Sequence, residues 1–456
     1  MSTRGGGAGA RLDHQDRADA VASRAAARGA APRENRVAPT TGSAAASSAE
    51  SQAARRPAAV LVAPGVTDRR ALLLVTVLLL LYGLVMAYSA SSAQAFFQYG
   101  SSFHFVGRQV VFALIGLAAM WTLSRVDYAW YRRLAYPLAG VALAGLVLVL
   151  VPGIGVSVNG ARRWIMIGGQ GLQPSELAKL AAVILVATLI ARHPLEITRL
   201  RHLLLLAAIG IVPAAGLIML EPDLGSTLVL VGAVLALLIA GGARLRHLLG
   251  LIAVGILAVL TLIVIEPYRL ERLVTFFDPW KDAQGSGFQA TQSLISVASG
   301  GFFGLGLGNS IQKFGFLPEQ GTDMITGIIG EELGLMGLIA LIALYVALAW
   351  VCFRIAMSCK EPFGKLLATG ITATVIGQAT INIGAALGVL PLTGVTLPLV
   401  SLGGTSLVVV LAGLGILLNI ATNRRSFIVA SPQRSVRPAG RGGDRRSPAA
   451  DPRRRG

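Results

Sequence analysis

The sequence predicts an all-α polytopic membrane protein with ten transmembrane helices and a large extracytoplasmic loop between helices 7 and 8. Of its 456 residues, 54% are hydrophobic and only 14% are charged. Apolar runs of roughly 18 or more residues recur along the chain, and each is long enough to cross a hydrocarbon core of ~30 Å as a helix. A soluble protein has no need for so many such runs, so a membrane protein is favoured over a large soluble core.

Two kinds of connection separate the predicted spans. The spans are 71–93, 105–124, 134–152, 176–192, 201–220, 225–241, 247–266, 324–353, 366–388 and 398–421. Alternate connections are basic, namely SRVDYAWYRR, ARHPLEITRLRH, GGARLRH and RIAMSCKEPFGK. The positive-inside rule places these connections, and with them both termini, on the cytoplasmic side of a plasma membrane.

The net charge of +18 could indicate nucleic-acid binding, but its distribution argues against that class. Residues 1–70 carry 11 Arg against 6 acids, and residues 423–456 carry 10 Arg against 2 acids, so most of the excess lies at the two ends. Both ends are rich in Ala, Gly, Ser, Pro and Arg and lack a periodic apolar face. They are therefore predicted to be disordered basic cytoplasmic tails flanking a membrane domain at 71–422. Solvation near anionic lipid is favoured over a specific docking role.

The connections on the opposite side are too elaborate for simple turns. They are SVNGARRWIMIGGQGLQPSE, EPDLG, the loop 267–322 and GVLPLTGVTLPLVSLGG. The loop far exceeds the 2–8 residues typical of a helix connection, and its aromatic residues, among them Phe276, Phe277 and Trp280, favour an ordered functional segment. Its Gly-rich stretch GLGLGNS resembles a phosphate-binding loop only weakly, because it lacks the preceding strand and the following Lys.

Ionisable groups at membrane depth are costly and therefore indicate function. Glu176 and Lys179 lie one helical turn apart on the fourth span. They form either a local interfacial pair or a site where Lys179 meets an acid or a phosphate from another helix. Asp323 is expected in the first turn of the eighth span, as a helix cap or as a functional acid favoured by the helix dipole. For Glu331 and Glu332, hydrogen bonding between spans is favoured.

Three arginines lie on the side that the positive-inside rule should deplete, namely Arg108, Arg162 and Arg163. Guanidinium groups recognise phosphate in a two-pronged geometry, so these residues indicate an anionic ligand, with snorkelling to lipid headgroups as an equal alternative. The sequence contains no P-loop, no Cys/His metal spacing and no Ser/His/Asp arrangement. No certain cofactor is predicted, and assistance by a divalent cation, Mg²⁺ or Mn²⁺, stays open.

Seven motifs in register carry a resemblance to a known family. They are NGARRWI, QPSELAK, EPDLGS, DPWKDAQGSGFQATQS, GLGLGNSIQKFGFLPEQGTDMI, IIGEELG and NIGAALGVLPLTGVTLPLVSLGGTS. Over about 71–425 the chain resembles the SEDS family, whose FtsW and RodA members are ten-helix peptidoglycan glycosyltransferases. TLPLVSLGG is closer to the FtsW pattern TLPLISYGG than to RodA, with Leu402 in place of the usual Tyr. The Arg-rich tails resemble FtsW of high-GC Gram-positive (actinobacterial) bacteria.

This resemblance implies an inverting polymerase of lipid II, an undecaprenyl pyrophosphate that carries a disaccharide-pentapeptide, acting in the septal cell wall during division. The family's proposed catalytic acid matches Asp323, and its fourth-helix Lys matches Lys179. Such a displacement needs a base at the acceptor hydroxyl and positive charge at the departing pyrophosphate. The substrate-binding candidates are Lys179, Arg108, Arg162, Arg163, Lys313 and Glu319.

The resemblance also implies partners, namely a class B penicillin-binding transpeptidase (FtsI-like) and other proteins of the division complex. Two alternative enzymatic or transport functions are a RodA-like elongation polymerase and a lipid II flippase. A pure scaffold would leave Lys179 and Asp323 without a purpose. Transporters often contain an internal repeat, and we find no convincing repeat here.

Overall fold

The computed structural model of the protein describes residues 64–158, 160–265 and 274–423. The predicted disordered tails lie outside these residues except at 64–70, where the prediction is wrong: helix α1 already begins at Pro64. Proline is well suited to a first helical position. Asp68 in this first part of α1 is 3% exposed and pairs with Arg354 at 2.9 Å, which ties the start of the helix to the rest of the protein.

Helices dominate the described residues. They are α1 (Pro64–Tyr99), α2 (His104–Leu123), α3 (Ala129–Leu150), α4 (Pro174–Arg192), α5 (Leu200–Gly210), α6 (Val212–Leu220), α7 (Leu224–Ala240), α8 (Leu245–Ile265), α9 (Phe288–Ser299), α10 (Ile325–Ser358), α11 (Pro362–Ala386) and α12 (Gly404–Thr422). Short 3₁₀ helices form at Glu196–Thr198, Pro279–Asp282 and Gln312–Phe314. Each predicted span therefore overlaps a helix, and the span 201–220 is divided between α5 and α6.

The described residues contain eight helical segments that are long and apolar enough to cross a membrane, and one of them, Leu200–Leu220, comprises α5 and α6. Two shorter apolar helices, Leu224–Ala240 and Leu245–Thr261, coincide with the predicted spans 225–241 and 247–266. The protein is an integral membrane protein. Helix α4 lies inside the bundle, in contact with α3, α7 and α11.

A three-stranded antiparallel sheet corrects the all-α prediction. Its strands, in order, are β1 (Gly155–Val158), β2 (Ala161–Ile167) and β3 (Gln170–Leu172), with Gly155 opposite Ile165 and Ile165 opposite Leu172. The turn between β2 and β3 uses Gly168 and Gly169 at φ +57° and +76°, a conformation that glycine adopts without steric cost. The sheet projects Arg162 and Arg163 from β2.

Helix α10 is interrupted at Gly334, where φ is +64° and ψ is −160°. The Gly-rich stretch crosses the helix at this break. The backbone nitrogens of Leu305 and Gly306 donate to the carbonyls of Glu331 and Glu332 at 3.0 and 2.9 Å. In return, Leu335 N donates to Gly301 O at 2.9 Å. The loop thereby satisfies carbonyl and amide groups that a broken helix would leave unpaired inside the protein.

The last helix is shorter than predicted, since α12 begins at Gly404 and not at 398. Residues 398–403 are held in an irregular conformation by hydrogen bonds to α2 and to the segment before α10. Gln109 Nε2 donates to Ser401 O at 2.9 Å, and Leu402 N donates to Gly321 O at 2.8 Å. These contacts bring the segment before α12 against the segment before α10.

Candidate active site

Asp323 lies in the connection that precedes α10. The helix begins at Ile325 with Met324 as its N-cap residue, so the prediction of Asp323 in the first turn or as the cap is wrong. The backbone around Asp323 is fixed from two sides. Asn382 Nδ2 on α11 donates to Asp323 O at 2.8 Å, and Ser401 Oγ donates to Thr322 O at 2.5 Å. The side chain is half-buried and is therefore accessible from the surface.

Arg163 reaches the same place from the sheet. Its Nε donates to Glu221 O at 3.1 Å and its Nη2 donates to Pro222 O, which orients the guanidinium. A methyl group added to Gly394 would lie 3.3 Å from Asp323 Oδ2 and 3.7 Å from Arg163 Nη1. The acid and the cation, far apart in the sequence, thus converge on one exposed glycine. This arrangement combines a proton acceptor with a positive charge for a leaving group.

Glu319 lies in the turn that leads to Asp323. It adopts φ +52°, and its carbonyl accepts a hydrogen bond from Met324 N at 3.1 Å. Its carboxylate Oε2 accepts from Thr322 Oγ1 at 2.8 Å and is exposed. The contact of Glu319 with substrate, close to Asp323, stays a prediction.

Lys179 lies beneath this site, 1% exposed. Its Nζ donates to Glu176 Oε1 at 3.0 Å and to Gln378 Oε1 at 2.8 Å. The local Glu–Lys pair is therefore present, and Lys179 also reaches another helix, but its partner there is an amide. Gln378 Nε2 in turn donates to Thr396 O at 3.0 Å, two residues after Gly394 in the chain. Lys179 thus supports the site through Gln378.

The other two outer arginines lie on the sheet side of the site. Arg108 on α2 donates from Nε and Nη2 to Gln170 Oε1 at 3.1 and 2.8 Å. Arg162 is exposed and pairs with Ser157 in the strand register, and alternation along β2 directs it to the face opposite Arg163. The structure therefore brings Arg163 toward Asp323, whereas Arg108 binds Gln170 at the start of β3 and Arg162 projects from the other face of β2.

Lys313 is held inside the protein, and its expected contact with substrate stays a prediction. It is 5% exposed, donates to Gly308 O and lies 3.4 Å from Glu332 Oε1. Glu332 also accepts from Ser89 Oγ on α1 at 2.5 Å, which confirms hydrogen bonding between spans for this acid. Glu331 accepts from Ile311 N at 3.0 Å. Both glutamates hold the loop that crosses the break in α10.

Glu221 is a buried acid that the sequence analysis did not single out. It is 0% exposed, and among the described residues neither of its carboxylate oxygens has a hydrogen-bond partner. Burial, with a smaller contribution from the neighbouring Asp223 carboxylate, raises the pKa of Glu221 to about 8, and Arg163 partly opposes this shift. Asp223 caps α7 by accepting from Ser226 N at 2.9 Å.

Gln378 and Asn382 were missed as well. They lie one turn apart on α11 and donate to the two carbonyls that follow Gly394, Asn382 Nδ2 to Val395 O at 2.7 Å and Gln378 Nε2 to Thr396 O at 3.0 Å. Amide side chains within an apolar span are the signal that could have found them, because such groups tend to hydrogen-bond within the bundle.

A protein-only metal cage is not seen among the described residues, since no three His, Cys, Asp or Glu side chains converge there. Mg²⁺ is commonly held by one or two carboxylates together with substrate phosphates. Asp323 is the half-buried carboxylate that fits such a role, and the Arg163 guanidinium also lies close to Gly394. A bound cation would supply additional positive charge at a phosphate group.

Known proteins similar to this chain identify its family. The sequence profile of the FtsW, RodA and SpoVE family, described as cell cycle proteins, matches residues 69–426. Stage V sporulation protein E of Bacillus subtilis is 42% identical over 350 residues, covering 75% of this chain and 94% of that protein. The probable peptidoglycan glycosyltransferase FtsW of Pseudomonas fluorescens is 39% identical over 352 residues, covering 76% of this chain and 86% of that protein.

Solved structures agree with these relatives. A chain from a study of structural coordination of polymerization and crosslinking by a peptidoglycan synthase complex is 34% identical, with a TM-score of 0.66, covering 78% of this chain and 98% of that chain. The rod shape determining protein RodA of Thermus thermophilus is 30% identical, with a TM-score of 0.58, covering 78% of this chain and 97% of that chain. The resemblance found in the sequence motifs is confirmed: this chain belongs to the FtsW/RodA/SpoVE (SEDS) family.

Proposed function

We propose that this protein is a peptidoglycan glycosyltransferase that polymerises lipid II into glycan strands for the septal wall during cell division. Relatives named as probable peptidoglycan glycosyltransferases support this activity, at 38–42% identity over 340–366 residues. The motif TLPLVSLGG and the FtsW-named relatives favour an FtsW-type role over a RodA-like role in elongation. The Arg-rich tails, together with the 38% identical FtsW of Mycobacterium tuberculosis, favour an actinobacterial type.

The observation that carries the mechanism is the convergence of Asp323 and Arg163 on Gly394. Asp323 Oδ2 takes the proton from the 4-hydroxyl of the acceptor sugar as that oxygen attacks the anomeric carbon of the donor. The new bond forms as the bond from that carbon to the pyrophosphate oxygen breaks, with inversion. Arg163 stabilises the charge that develops on the pyrophosphate, because a preorganised guanidinium needs no rearrangement as the reaction proceeds. Arg108 extends the positive surface toward the second phosphate, whereas Arg162, on the opposite face of β2, would meet a different anionic group of the substrate.

Lys179, Lys313 and Glu319 hold other parts of the site in place. Lys179 holds Gln378, and Gln378 holds the strand that contains Thr396 near Gly394. Lys313 neutralises Glu332 and anchors the loop that ends at Asp323. Glu319 shapes the turn before Asp323 and presents an exposed carboxylate to the substrate.

The reaction takes place at the outer face of a plasma membrane, with ten spans, both termini in the cytoplasm and the loop 267–322 outside. The basic connections support this orientation through the positive-inside rule. A site at the mouth of the helices lets the lipid tails stay in the bilayer during polymerisation. The break in α10 gives the transport alternative no support, because the loop backbone hydrogen-bonds across it.

The partner that we propose is a class B penicillin-binding transpeptidase, with other proteins of the division complex. The similar peptidoglycan synthase complex, whose title couples polymerization to crosslinking, supports a shared assembly.

Polymerisation of labelled lipid II by the purified protein, with and without the transpeptidase, tests the function. Asp323→Asn keeps the shape of the side chain but removes the base, so strand formation should fall by ~10² to 10⁴. Asp127→Asn, at the opposite end of the bundle, is the control and should remain active. Wild-type protein that flips lipid II in liposomes but forms no strands with its partner would overturn the proposal in favour of a flippase.

A further inference from the structure

The aromatic loop that stands out in the sequence forms the wall of a cavity. This cavity has a volume of about 720 Å³ and is enclosed by the loop Thr275–Phe288, the start of α9, the end of α11 and the connection that follows it. Phe276, Phe277 and Trp280 line it from the loop, and Gln289 lines it from α9. Its size is that of a small-molecule binding site.

The loop wall is held in place by its own hydrogen bonds. The Asp282 carboxylate accepts from Ser286 N at 2.8 Å and from Gly285 N at 3.1 Å. Hydrogen bonds from the Ser286 backbone and side chain, together with that from Gly285, keep the pKa of Asp282 below its usual range. The hydroxyls of Thr275 and Ser286 are 3.0 Å apart. The aromatic residues therefore project from a preformed turn, which lowers the entropic cost of binding.

The lining combines exposed aromatic rings with polar groups. Phe277 is 78% exposed and Trp280 is 58% exposed, although both belong to an ordered turn. Thr275, Asp278 and Gln289 contribute hydroxyl, carboxylate and amide groups to the same wall. Pyranose rings present C–H groups to aromatic faces and hydroxyl or acetamido groups to polar side chains, so this combination suits a saccharide.

A second cavity shows what a site for hydrocarbon looks like in this protein. It has a volume of about 710 Å³, lies between α7, α10 and α11, and is lined almost wholly by apolar residues such as Leu228, Val346 and Trp350. The loop cavity differs by its carboxylate, amide and hydroxyl groups. A saccharide therefore fits the loop cavity better than a lipid chain does.

Two segments of the cavity wall lead directly to the candidate active site. Pro318 lies in this wall, and the chain runs directly from Pro318 through Glu319 to Asp323. On the other side Leu392 lies in the wall, next but one to Gly394, where an added methyl group would lie 3.3 Å from Asp323 Oδ2 and 3.7 Å from Arg163 Nη1. A ligand in this cavity would therefore lie against both of the segments that lead to the candidate active site.

We propose that the loop cavity is a saccharide subsite that holds the glycan strand next to its reacting end. This inference rests on the proposed polymerase function and specifies where the polymer lies. The rings of Phe277 and Trp280 bind the sugar faces, and Gln289 binds an acetamido or hydroxyl group. The strand stays bound between additions, so the subsite governs strand length and leaves formation of the individual glycosidic bond to Asp323 and Arg163.

Direct binding is the first test. A lipid-free tetrasaccharide of alternating N-acetylglucosamine and N-acetylmuramic acid is titrated against the purified full-length protein. The double variant Phe277→Ala/Trp280→Ala should bind it about tenfold more weakly, because two aromatic contacts are lost. Phe303→Ala is the matched control: Phe303 is 79% exposed, packs edge-on to Phe302 at 4.9 Å as Phe277 packs on Phe276 at 5.3 Å, and lies outside the cavity wall.

Strand length is the second test, with labelled lipid II as substrate. The double variant should form strands at least severalfold shorter than those of the wild type while the first coupling proceeds, whereas Phe303→Ala should form strands of normal length. Unchanged tetrasaccharide affinity together with unchanged strand length would overturn the subsite. A photoreactive residue at Phe277 that labels only lipid-linked precursor, and never lipid-free strands, would assign the cavity to the lipid instead and also overturn it. Failure of the wild type to polymerise lipid II would contradict the proposed function separately, because tetrasaccharide binding requires no turnover.

Discussion

Lys179 on α4 and Gln378 on α11 are joined by a buried hydrogen bond of 2.8 Å, and this contact links the ion pair inside the bundle to the connection that holds Gly394. Gln378 uses its amide nitrogen for Thr396 O at 3.0 Å, so its carbonyl oxygen is available to Lys179. The ammonium thereby fixes the orientation of an amide that would otherwise be free to flip.

Lys179→Met is expected to lower both stability and activity. It leaves Glu176, which is 4% exposed, as an uncompensated buried charge, a loss of ~3–5 kcal/mol in the free energy of unfolding. Thermal unfolding in detergent measures the stability, and strand formation from lipid II measures the activity.

The double variant Glu176→Gln/Lys179→Met separates the two effects of that change. It removes both charges, so stability should largely return, whereas activity should stay low because Gln378 still lacks its donor. Full recovery of activity in the double variant would show that Lys179 matters only as a counter-ion to Glu176.

The helices were predictable because membrane spans depend on local composition. Long apolar runs predicted where the helices of the described residues lie, but not where each helix begins and ends. The segment 398–403 is as apolar as a helix, yet Gln109 and Gly321 hold it in an irregular form. Tertiary hydrogen bonds override local propensity there. The hairpin was missed although an NG pair between two alternating runs is a recognised turn signal.

The site was predictable by residue type but not by geometry. Asp323 and Arg163 were singled out because a charge on the outer side of an apolar chain needs a reason. Their meeting at Gly394 depends on how the sheet packs against three connections, which contain Glu221, Asp323 and Gly394. No local sequence pattern encodes that packing. Lys313 shows the converse. Its charge looked suited to a substrate, but the break in α10 exposes Glu332 to it and the lysine is buried as a structural partner.

Glu221 should make stability depend on pH. Its ordinary pKa is 4.5 and burial raises its folded pKa to about 8, so between these values the folded state keeps a proton that the unfolded state has lost. The free energy of unfolding should therefore fall as pH rises through this window. Glu221→Gln carries no titrating proton and should flatten this part of the profile, with a higher unfolding temperature than the wild type near pH 8. Parallel profiles for the two proteins would contradict the burial argument.

Accessible cysteines test the orientation. Lys281 and Arg244 are both exposed, on the loop and on the basic connection before α8 respectively. The native Cys352 and Cys359 are 2% and 5% exposed, so their background labelling should be low. An impermeant thiol reagent should label Lys281→Cys in intact cells and Arg244→Cys only after permeabilisation. The reverse pattern would invert the topology.

Gly394→Ala tests the convergence of acid and cation most directly. The added methyl group would lie 3.3 Å from Asp323 Oδ2 and 3.7 Å from Arg163 Nη1, where the reacting groups must approach, and φ is +69°. Gly100→Ala is the matched control, because Gly100 has φ +68° and an added methyl group there meets nothing within 4 Å. Both variants should lose a similar ~1–2 kcal/mol of stability from the left-handed backbone.

Only Gly394→Ala should lose activity, by at least about tenfold, since a displacement of ~1 Å in a reacting group is sufficient for a loss of that order or more. Strand formation from saturating lipid II measures the chemical step, and unfolding temperatures verify that the two variants are equally destabilised. Equal activity of Gly394→Ala and Gly100→Ala at equal stability would mean that the space between Asp323 and Arg163 is not where the sugar and the pyrophosphate react.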